Sequence, residues 1–140
     1  MSGRFFLDTN VFVYTFDSTA PSKQAAALKL VRSAIDTRGG IISFQVAQEF
    51  LHVALRRFLR PLSAADAEQY FTKTLRPLLA VQSSLALYGE ALRLFERYKL
   101  SWYDAVILAA AVEGECEILY SEDFQDGQKF ESVVARNPFK

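Results

Sequence analysis

The chain contains 140 residues with a mass of 15.8 kDa, a length typical of one domain, so we take residues 1–140 as a single domain. Because hydrophobic residues make up 51% of the chain and charged residues 23%, the composition excludes an intrinsically disordered protein. The formal net charge is zero, yet residues 1–103 carry 13 basic and 8 acidic side chains, and residues 104–140 carry 3 and 8. This uneven distribution indicates a charged site.

Composition and short motifs exclude several kinds of chemistry. One cysteine, Cys116, cannot form an internal disulfide, and with the single histidine, His52, it leaves no thiolate or histidine-rich zinc site. Asp8 interrupts the apolar run after Arg4, so we expect no secretory signal. The longest apolar run, Ala105–Val112, is shorter than the roughly 20 residues that cross a bilayer. We therefore expect a reduced, cytoplasmic protein without a membrane partner, whose chemistry depends on carboxylates.

The hydrophobic pattern predicts strands that alternate with helices. In chain order the predicted elements are strand Arg4–Asp8, helix Pro21–Asp36, strand Gly40–Ser43, helix Phe44–Leu59, helix Ser63–Arg76, strand Leu78–Val81, helix Leu85–Arg97, helix Trp102–Glu113, strand Glu117–Ser121 and strand Ser132–Arg136. Such an alternation is typical of an α/β domain with a mainly parallel sheet, whose ligands lie beyond the carboxyl ends of the strands.

Two helices carry apolar stripes that we expect to face the core. In the first helix the stripe comprises Leu28, Val31 and Ile35. In the helix that begins at Leu85, one side is apolar and the other is charged. The apolar residues are Leu85, Tyr88, Leu92 and Phe95, and the charged ones are Glu90, Arg93, Glu96 and Arg97.

Two predicted strands end in acidic residues. Asp8 ends the first strand and is followed by Thr9-Asn10, so it is either a helix N-cap or a residue of a functional site. Glu122, Asp123 and Asp126 follow the strand that ends at Ser121, either as an acidic turn or as part of the same site. Because carboxyl ends of parallel strands share one edge of a sheet, these acids are candidates for one site.

Two further acids lie on predicted helices. Glu49 shares a helix face with Gln45, His52, Arg56 and Arg60, which is either a solvated face or a metal ligand beside phosphate contacts. Asp104 fits a capping box with Ser101, yet the following helix is apolar on all sides, which indicates a partly buried carboxylate without a basic neighbour. Oxygen ligands of this kind select Mg²⁺ or Mn²⁺ and could hold one or two ions.

Four segments resemble the acidic motifs of PIN-domain nucleases, in the order in which the family has them. The segments are Phe5-Phe6-Leu7-Asp8-Thr9-Asn10-Val11, Ile42–Phe50, Ser101–Ala111 and Leu119–Gly127, and Asn137-Pro138-Phe139 is similar to a common ending of the family. The resemblance spans essentially the whole chain. It implies a three-layer α/β/α sandwich and a Mg²⁺- or Mn²⁺-dependent endoribonuclease. For a single-domain member of this length, it also implies the toxin of a VapBC-type toxin–antitoxin pair.

Matching position by position, the resemblance implies a set of metal-binding acids. These are Asp8, Glu49, Asp104 and Asp123 as catalytic and metal-binding residues, Asp126 as an additional acid, and Asn10 and Ser121 as supporting residues. It also implies an RNA substrate, a small antitoxin partner and a homodimer. We expect Arg56 and Arg60 to contact RNA phosphates. For the antitoxin we expect an exposed apolar groove, with Phe12, Tyr14, Phe16 and Phe58 as candidate lining residues.

Two other classes of function stay open at this point. One is a non-catalytic module of the same fold that binds RNA or protein, although the presence of all four acids argues against it. The other is an acid-pocket phosphotransfer domain. A phosphatase of that kind places a second aspartate where this chain has Asn10, and a receiver domain requires a lysine near the last strands, where we find none.

Overall fold

The computed structural model describes residues 3–140, which form a six-stranded sheet with helices packed on it. In chain order the elements are β1 (Phe5–Leu7), α1 (Thr9–Tyr14), α2 (Pro21–Thr37), β2 (Gly40–Ser43), α3 (Phe44–Arg56), α4 (Ala64–Tyr70), β3 (Leu79–Val81), α5 (Leu85–Tyr98), α6 (Trp102–Glu113), β4 (Ile118–Tyr120), β5 (Lys129–Phe130) and β6 (Val133–Arg136). A π-helical turn and a 3₁₀ turn connect α4 to β3. The five predicted strands are present, whereas α1 and β5 were not predicted.

The strand order is β3-β2-β1-β4-β6-β5, and all neighbouring pairs are parallel except β5 with β6. The chain moves outward from β1 through β2 to β3, and then returns to the other side of β1 to form β4. The predicted α/β fold with a mainly parallel sheet is therefore confirmed. Ligands of such sheets bind at the carboxyl ends of the strands where the strand order reverses, which here is between β1 and β4. We call this position the β1–β4 edge.

The reversal also places helices on both faces of the sheet. Crossovers between parallel strands are right-handed, so α1–α4 cover one face and α5 with α6 cover the other. The contacts agree with this arrangement, because α1 packs on α2 and α3 while α5 packs along α6. The core lies between these layers and includes fully buried Phe6, Ile42, Phe50 and Leu108.

The face by which α2 contacts the sheet differs from the prediction. Leu28 and Ile35 are exposed, and the buried residues of the helix are Ala27, Val31 and Ala34. The reason is the close approach of α2 to β2: a Cβ atom on Gly40 would lie 2.2 Å from the Cβ of Ala34. Only small side chains fit at this contact, and Leu28 and Ile35 are directed outward, whereas Val31 is buried as predicted.

The predicted inward stripe of α5 is also wrong. Leu85, Tyr88, Leu92 and Phe95 are all exposed, and α5 packs on α6 through Leu87, Ala91 and Leu94. The helix thus has two apolar stripes, and the one with the smaller alanine side chain forms the contact. The exposed stripe is bordered by an ion-pair network that joins Arg93 and Arg97 to Glu131.

Helix α3 begins as predicted but ends earlier. The Ser43 hydroxyl accepts a hydrogen bond from the Val46 N–H and caps its first turn, whereas the helix ends at Arg56 and not at Leu59. Arg60 therefore does not continue the face that carries Glu49.

Helix α6 is apolar on all sides and its residues from Ala105 to Ala111 are buried, as its sequence predicts. Its first turn is capped by Ser101, which accepts a hydrogen bond from the Asp104 N–H at 3.2 Å. Among residues 3–140, no helix has the combination of length and apolarity that crossing a bilayer requires.

Helix α5 ends at a strained residue, which leads to a stability prediction. Lys99 follows α5 with φ of 55°, a left-handed conformation that favours glycine, and its side chain pairs with exposed Glu96. We expect Lys99→Gly to raise the free energy of unfolding by about 0.5–1 kcal/mol, measured by urea denaturation. Lys99→Ala is the control and is expected to give no gain, because alanine keeps the steric penalty. A gain with alanine equal to that with glycine would contradict this explanation.

Candidate active site

Asp8 lies at the carboxyl end of β1 and is only 4% exposed. Its Oδ1 accepts a hydrogen bond from the Thr9 N–H at 2.7 Å, and its Oδ2 accepts one from the Ser121 hydroxyl at 2.7 Å. The first bond caps α1 and the second joins the end of β1 to the end of β4. The cap and the position at the sheet edge, which the sequence offered as alternatives, therefore occur together in one residue.

The pKa of Asp8 is raised to about 7, mainly by burial and less by the nearby charges of Asp123 and Glu49, although the hydrogen bonds from Ser121 and Thr9 act to lower it. The carboxylate form of Asp8 is thus poorly stabilised by the protein alone. A proton or a cation at this position would remove the unfavourable energy.

Glu49 lies on α3 and is held by two donors. The Thr9 hydroxyl donates to Glu49 Oε1 at 3.1 Å, and Gln45 Nε2 donates to the same oxygen at 3.4 Å. Because both donors reach one oxygen, Oε2 remains available as an acceptor.

Asp123 follows β4 and faces the first turn of α1. Its N–H donates to the Ser121 hydroxyl oxygen at 3.0 Å, and its Oδ2 accepts from Asn10 Nδ2 at 3.3 Å. Burial, then the charges of Asp104 and Glu122, raise the pKa of Asp123. Asp104, half-buried in the first turn of α6, is therefore within electrostatic range of Asp123. The structure brings Asp8, Glu49, Asp104 and Asp123 to the β1–β4 edge of the sheet.

Two buried amide oxygens at this edge receive no hydrogen bond. They are Asn10 Oδ1 and Gln45 Oε1, each on a residue that donates to one of the acids. Buried acceptors normally have partners, so these two indicate a position for a ligand, a water molecule or a cation.

These oxygen atoms fit a hard divalent cation such as Mg²⁺ or Mn²⁺. Within residues 3–140, however, no three His, Cys, Asp or Glu side chains lie close enough together to form a ready metal-binding group. The arrangement is an open acidic edge with spare acceptors. This suits Mg²⁺, which usually keeps several water ligands and takes one or two carboxylates from the protein.

The other two acids of the loop after β4 have different contacts. Asp126 is exposed, and its Oδ1 accepts from the Asn137 N–H at 2.8 Å. Glu122 accepts from the Tyr14 hydroxyl at 2.9 Å and lies 3.5 Å from Lys23 Nζ. The three neighbouring acids are thus separated by their partners, and Asp123 is the one that contacts Asn10.

Sequence reasoning did not identify Thr9 and Gln45, which orient Glu49. A signal for both was present, because Thr9 follows Asp8 directly and Gln45 precedes Glu49 by one helical turn. Lys23 and Tyr14 were not expected near the acidic loop either. No local pattern could have shown this, since each lies about a hundred residues from Glu122 in the chain.

The arginines expected at phosphates lie at the other end of α3. Arg56 is exposed in its last turn, and Arg60 lines a groove of about 690 Å³ with Phe16, Phe58 and Leu59. Two of the four aromatic residues expected in an apolar groove, Phe16 and Phe58, are therefore in it. Phe12 is fully buried instead, and Tyr14 packs against Phe139 with ring centroids 4.7 Å apart.

The raised pKa of Asp8 predicts a characteristic pH dependence of stability in the metal-free protein. Between about pH 4 and pH 7 the folded chain keeps a proton that the unfolded chain has released, so the free energy of unfolding falls as pH rises. Asp8→Asn removes this pH dependence, because asparagine does not titrate. In EDTA, we expect its stability relative to wild type to increase by on the order of 4 kcal/mol from pH 4 to pH 8.

Urea denaturation at several pH values measures this difference. Exposed Asp36 provides the control, because Asp36→Asn is expected to change the difference by less than about 0.5 kcal/mol. A pH-independent difference for Asp8→Asn would mean that the Asp8 carboxyl group titrates normally.

Solved structures of toxin–antitoxin proteins share this fold. A toxin–antitoxin complex from Klebsiella pneumoniae has a TM-score of 0.66 at 23% identity, covering 95% of this chain and 96% of that chain. FitAcB from Neisseria gonorrhoeae has a TM-score of 0.66 at 16% identity, with 96% and 98% covered. VapC20 from Mycobacterium tuberculosis, described as a Sarcin-Ricin loop cleaving toxin, has a TM-score of 0.62 at 20% identity, with 93% and 98% covered.

A comparison with curated protein sequences finds no match. The family model of the PIN domain matches residues 5–128, which include all four acids gathered at the β1–β4 edge. The chain therefore belongs to the PIN-domain family.

Proposed function

We propose that this PIN domain is an endoribonuclease that depends on one or two Mg²⁺ or Mn²⁺ ions and is the toxin of a type II toxin–antitoxin pair. The observation that carries the proposal is the buried carboxyl group of Asp8, which accepts hydrogen bonds from Ser121 and Thr9. It lies near Asp123 and Glu49, between β1 and β4, where the strand order reverses. Its raised pKa and the unbonded oxygens of Asn10 and Gln45 favour a cation at this edge.

In this proposal Asp8, Glu49, Asp104 and Asp123 hold the ions. A divalent ion supplies Lewis-acid stabilisation of a phosphodiester and activates water for hydrolysis. The protein fixes the carboxylates through hydrogen bonds: Thr9 and Gln45 orient Glu49, and Ser121 orients Asp8. For Asp126 we propose a different task, because it holds the backbone of Asn137.

The RNA substrate is inferred from the family and from the cleaving activity named for the Mycobacterium tuberculosis relative. Net positive charge in residues 1–103 supports a polyanionic substrate, and exposed Arg56 and Arg60 are the proposed phosphate contacts. Such a substrate and a small protein inhibitor would be met in the cytoplasm.

A cleavage assay with two aspartate variants tests the proposed site. We expect wild type to cleave RNA with Mn²⁺ and Asp8→Asn to lose at least about 100-fold in kcat, since the variant lacks one charge at the ion. Asp126→Asn is the matched control, because it makes the same chemical change at an exposed aspartate of the same loop, three residues after Asp123, and it should keep activity within about fivefold. EDTA should abolish cleavage by both active proteins.

Equal activity of wild type and Asp8→Asn would contradict the assigned site. If wild type binds RNA but cleaves none with either metal, the chain is a non-catalytic binding module, which is the alternative function.

The antitoxin partner is proposed for the groove beside the end of α3, named here the α3 groove. It is lined by aromatic and aliphatic side chains, and its rim carries Arg57, Arg60 and the 94%-exposed Leu59. Apolar walls with a basic rim suit a segment that carries apolar and acidic residues. Exposed apolar surface of this kind commonly marks a protein interface.

The homodimer is proposed for the exposed stripe of α5. Leu85 and Leu92 are 92% and 58% exposed, and Tyr88 and Phe95 complete a spacing of three and four residues. This is the spacing that pairs helices in coiled coils, and the residues that α5 buries, Leu87, Ala91 and Leu94, lie outside the stripe.

Two leucine variants separate the two interfaces in one experiment. Leu59→Glu is expected to weaken binding of the small protein encoded beside this gene by at least about tenfold and to leave the oligomeric state unchanged. Leu92→Glu is expected to convert the dimer to a monomer and to leave the partner's affinity within about threefold. Light scattering and titration calorimetry measure both properties. The assignment would be contradicted if Leu59→Glu lost the dimer, or if Leu92→Glu lost binding of the partner.

A further inference from the structure

The loop after β4 presents two adjacent acids, Glu122 and Asp123, to the same helix. Asn10 and Tyr14 lie one turn apart on α1 and therefore share a face. Asn10 Nδ2 donates to Asp123 Oδ2 at 3.3 Å, and the Tyr14 hydroxyl donates to Glu122 Oε1 at 2.9 Å. Successive turns of α1 thus bind successive acids of the loop.

Lys23 on α2 completes the contacts of Glu122. Its Nζ lies 3.5 Å from Glu122 Oε2 and donates to the Tyr14 hydroxyl at 3.2 Å. Both carboxylate oxygens of Glu122 therefore have a donor or cation partner. We name the three residues Lys23, Tyr14 and Glu122 the clamp.

The C-terminal segment closes the clamp from outside. The ring of Phe139 packs edge-on against Tyr14. Lys23 Nζ lies 4.8 Å from the centroid of the Tyr14 ring and 5.9 Å from that of the Phe139 ring. Asp126 fixes the backbone of Asn137, which in turn accepts a hydrogen bond from the Phe139 N–H at 2.9 Å. The Lys23 ammonium group thus lies near both rings and within 3.5 Å of Glu122.

We propose that Lys23 is a positioning residue that selects which loop acid enters the site: by pairing with Glu122 it keeps this carboxylate on α1 and leaves Asp123 at Asn10. Without Lys23, Glu122 would keep the hydrogen bond from Tyr14, but its negative charge would have no cation beside it and would repel Asp123, so that the loop moves. The inference rests on the proposed function for its catalytic readout, but it concerns residues outside the proposed ion ligands.

Lys23→Met tests the proposal, because methionine keeps a flexible side chain over the rings and removes the charge. With Mn²⁺ and RNA we expect kcat to fall about tenfold and KM to change less than about twofold. Lys23→Arg should stay within about threefold of wild type, because the positive charge is kept. Lys29→Met, on the exposed part of the same helix, is the control for loss of a positive charge and should leave kcat unchanged.

The double variant Lys23→Met/Glu122→Gln tests directly whether Lys23 acts through the charge of Glu122. Glutamine can still accept from Tyr14 but needs no cation, so we expect kcat to return to within about threefold of wild type. A double variant as slow as Lys23→Met would overturn the proposal, as would a Lys23→Met variant with wild-type kcat. A large rise in KM with unchanged kcat would also overturn it, because Lys23 would then bind substrate directly.

Calorimetric Mn²⁺ binding gives a readout independent of cleavage. The clamp predicts that Lys23→Met weakens Mn²⁺ binding about threefold and that the double variant restores it, whereas charge alone would make Lys23→Met bind Mn²⁺ more tightly. If wild type cleaves no RNA, the proposed function is wrong and these affinities alone decide. The weakened and restored pattern then supports the clamp, and an unchanged or tighter affinity in Lys23→Met overturns it.

Discussion

Burial of the Asp8 carboxyl group at the junction of β1 and β4 is the constraint on which the candidate site depends. The strands meet in parallel, and the Ser121 hydroxyl of the second donates to the aspartate of the first. Burial raises the pKa of Asp8 to about 7, so the fold holds a carboxyl group where its charge is unfavourable. Glu49 and Asp123, which lie close enough to raise this pKa, increase the cost, and the same crowding would favour a divalent cation.

The surrounding polar residues fix this arrangement because each of them makes hydrogen bonds to two of the acids. Thr9 contributes its N–H to Asp8 and its hydroxyl to Glu49, so one residue links β1 to α3. Ser121 similarly donates to Asp8 and accepts from the Asp123 N–H. These hydrogen bonds fix Asp8, Glu49 and Asp123 relative to one another.

Much of the fold could be predicted from local pattern, because buried strands and helix caps are local features. Ser43, Ser63, Ser84 and Ser101 each cap the helix that follows. The contact faces of α2 and α5 could not be predicted. Both helices carry two sets of apolar residues. In α2 the close approach of Ala34 to Gly40 selects the face that carries alanines, whereas the buried face of α5 contains Leu87 and Leu94 beside Ala91. The acids at the sheet edge were found from strand ends and motif order, whereas Lys23 and Tyr14 required the folded chain, since their contacts with Glu122 are long-range.

A divalent ion held by the acids at the β1–β4 edge is central to the proposed function. Anomalous diffraction from a crystal soaked in Mn²⁺ tests this most directly. We predict an anomalous peak with carboxylate oxygens of Asp8 and Asp123 at roughly 2.0–2.4 Å, and no peak there in Asp8→Asn crystals. A fully occupied Mn²⁺ elsewhere on the chain, with none between these two residues, would contradict the claim.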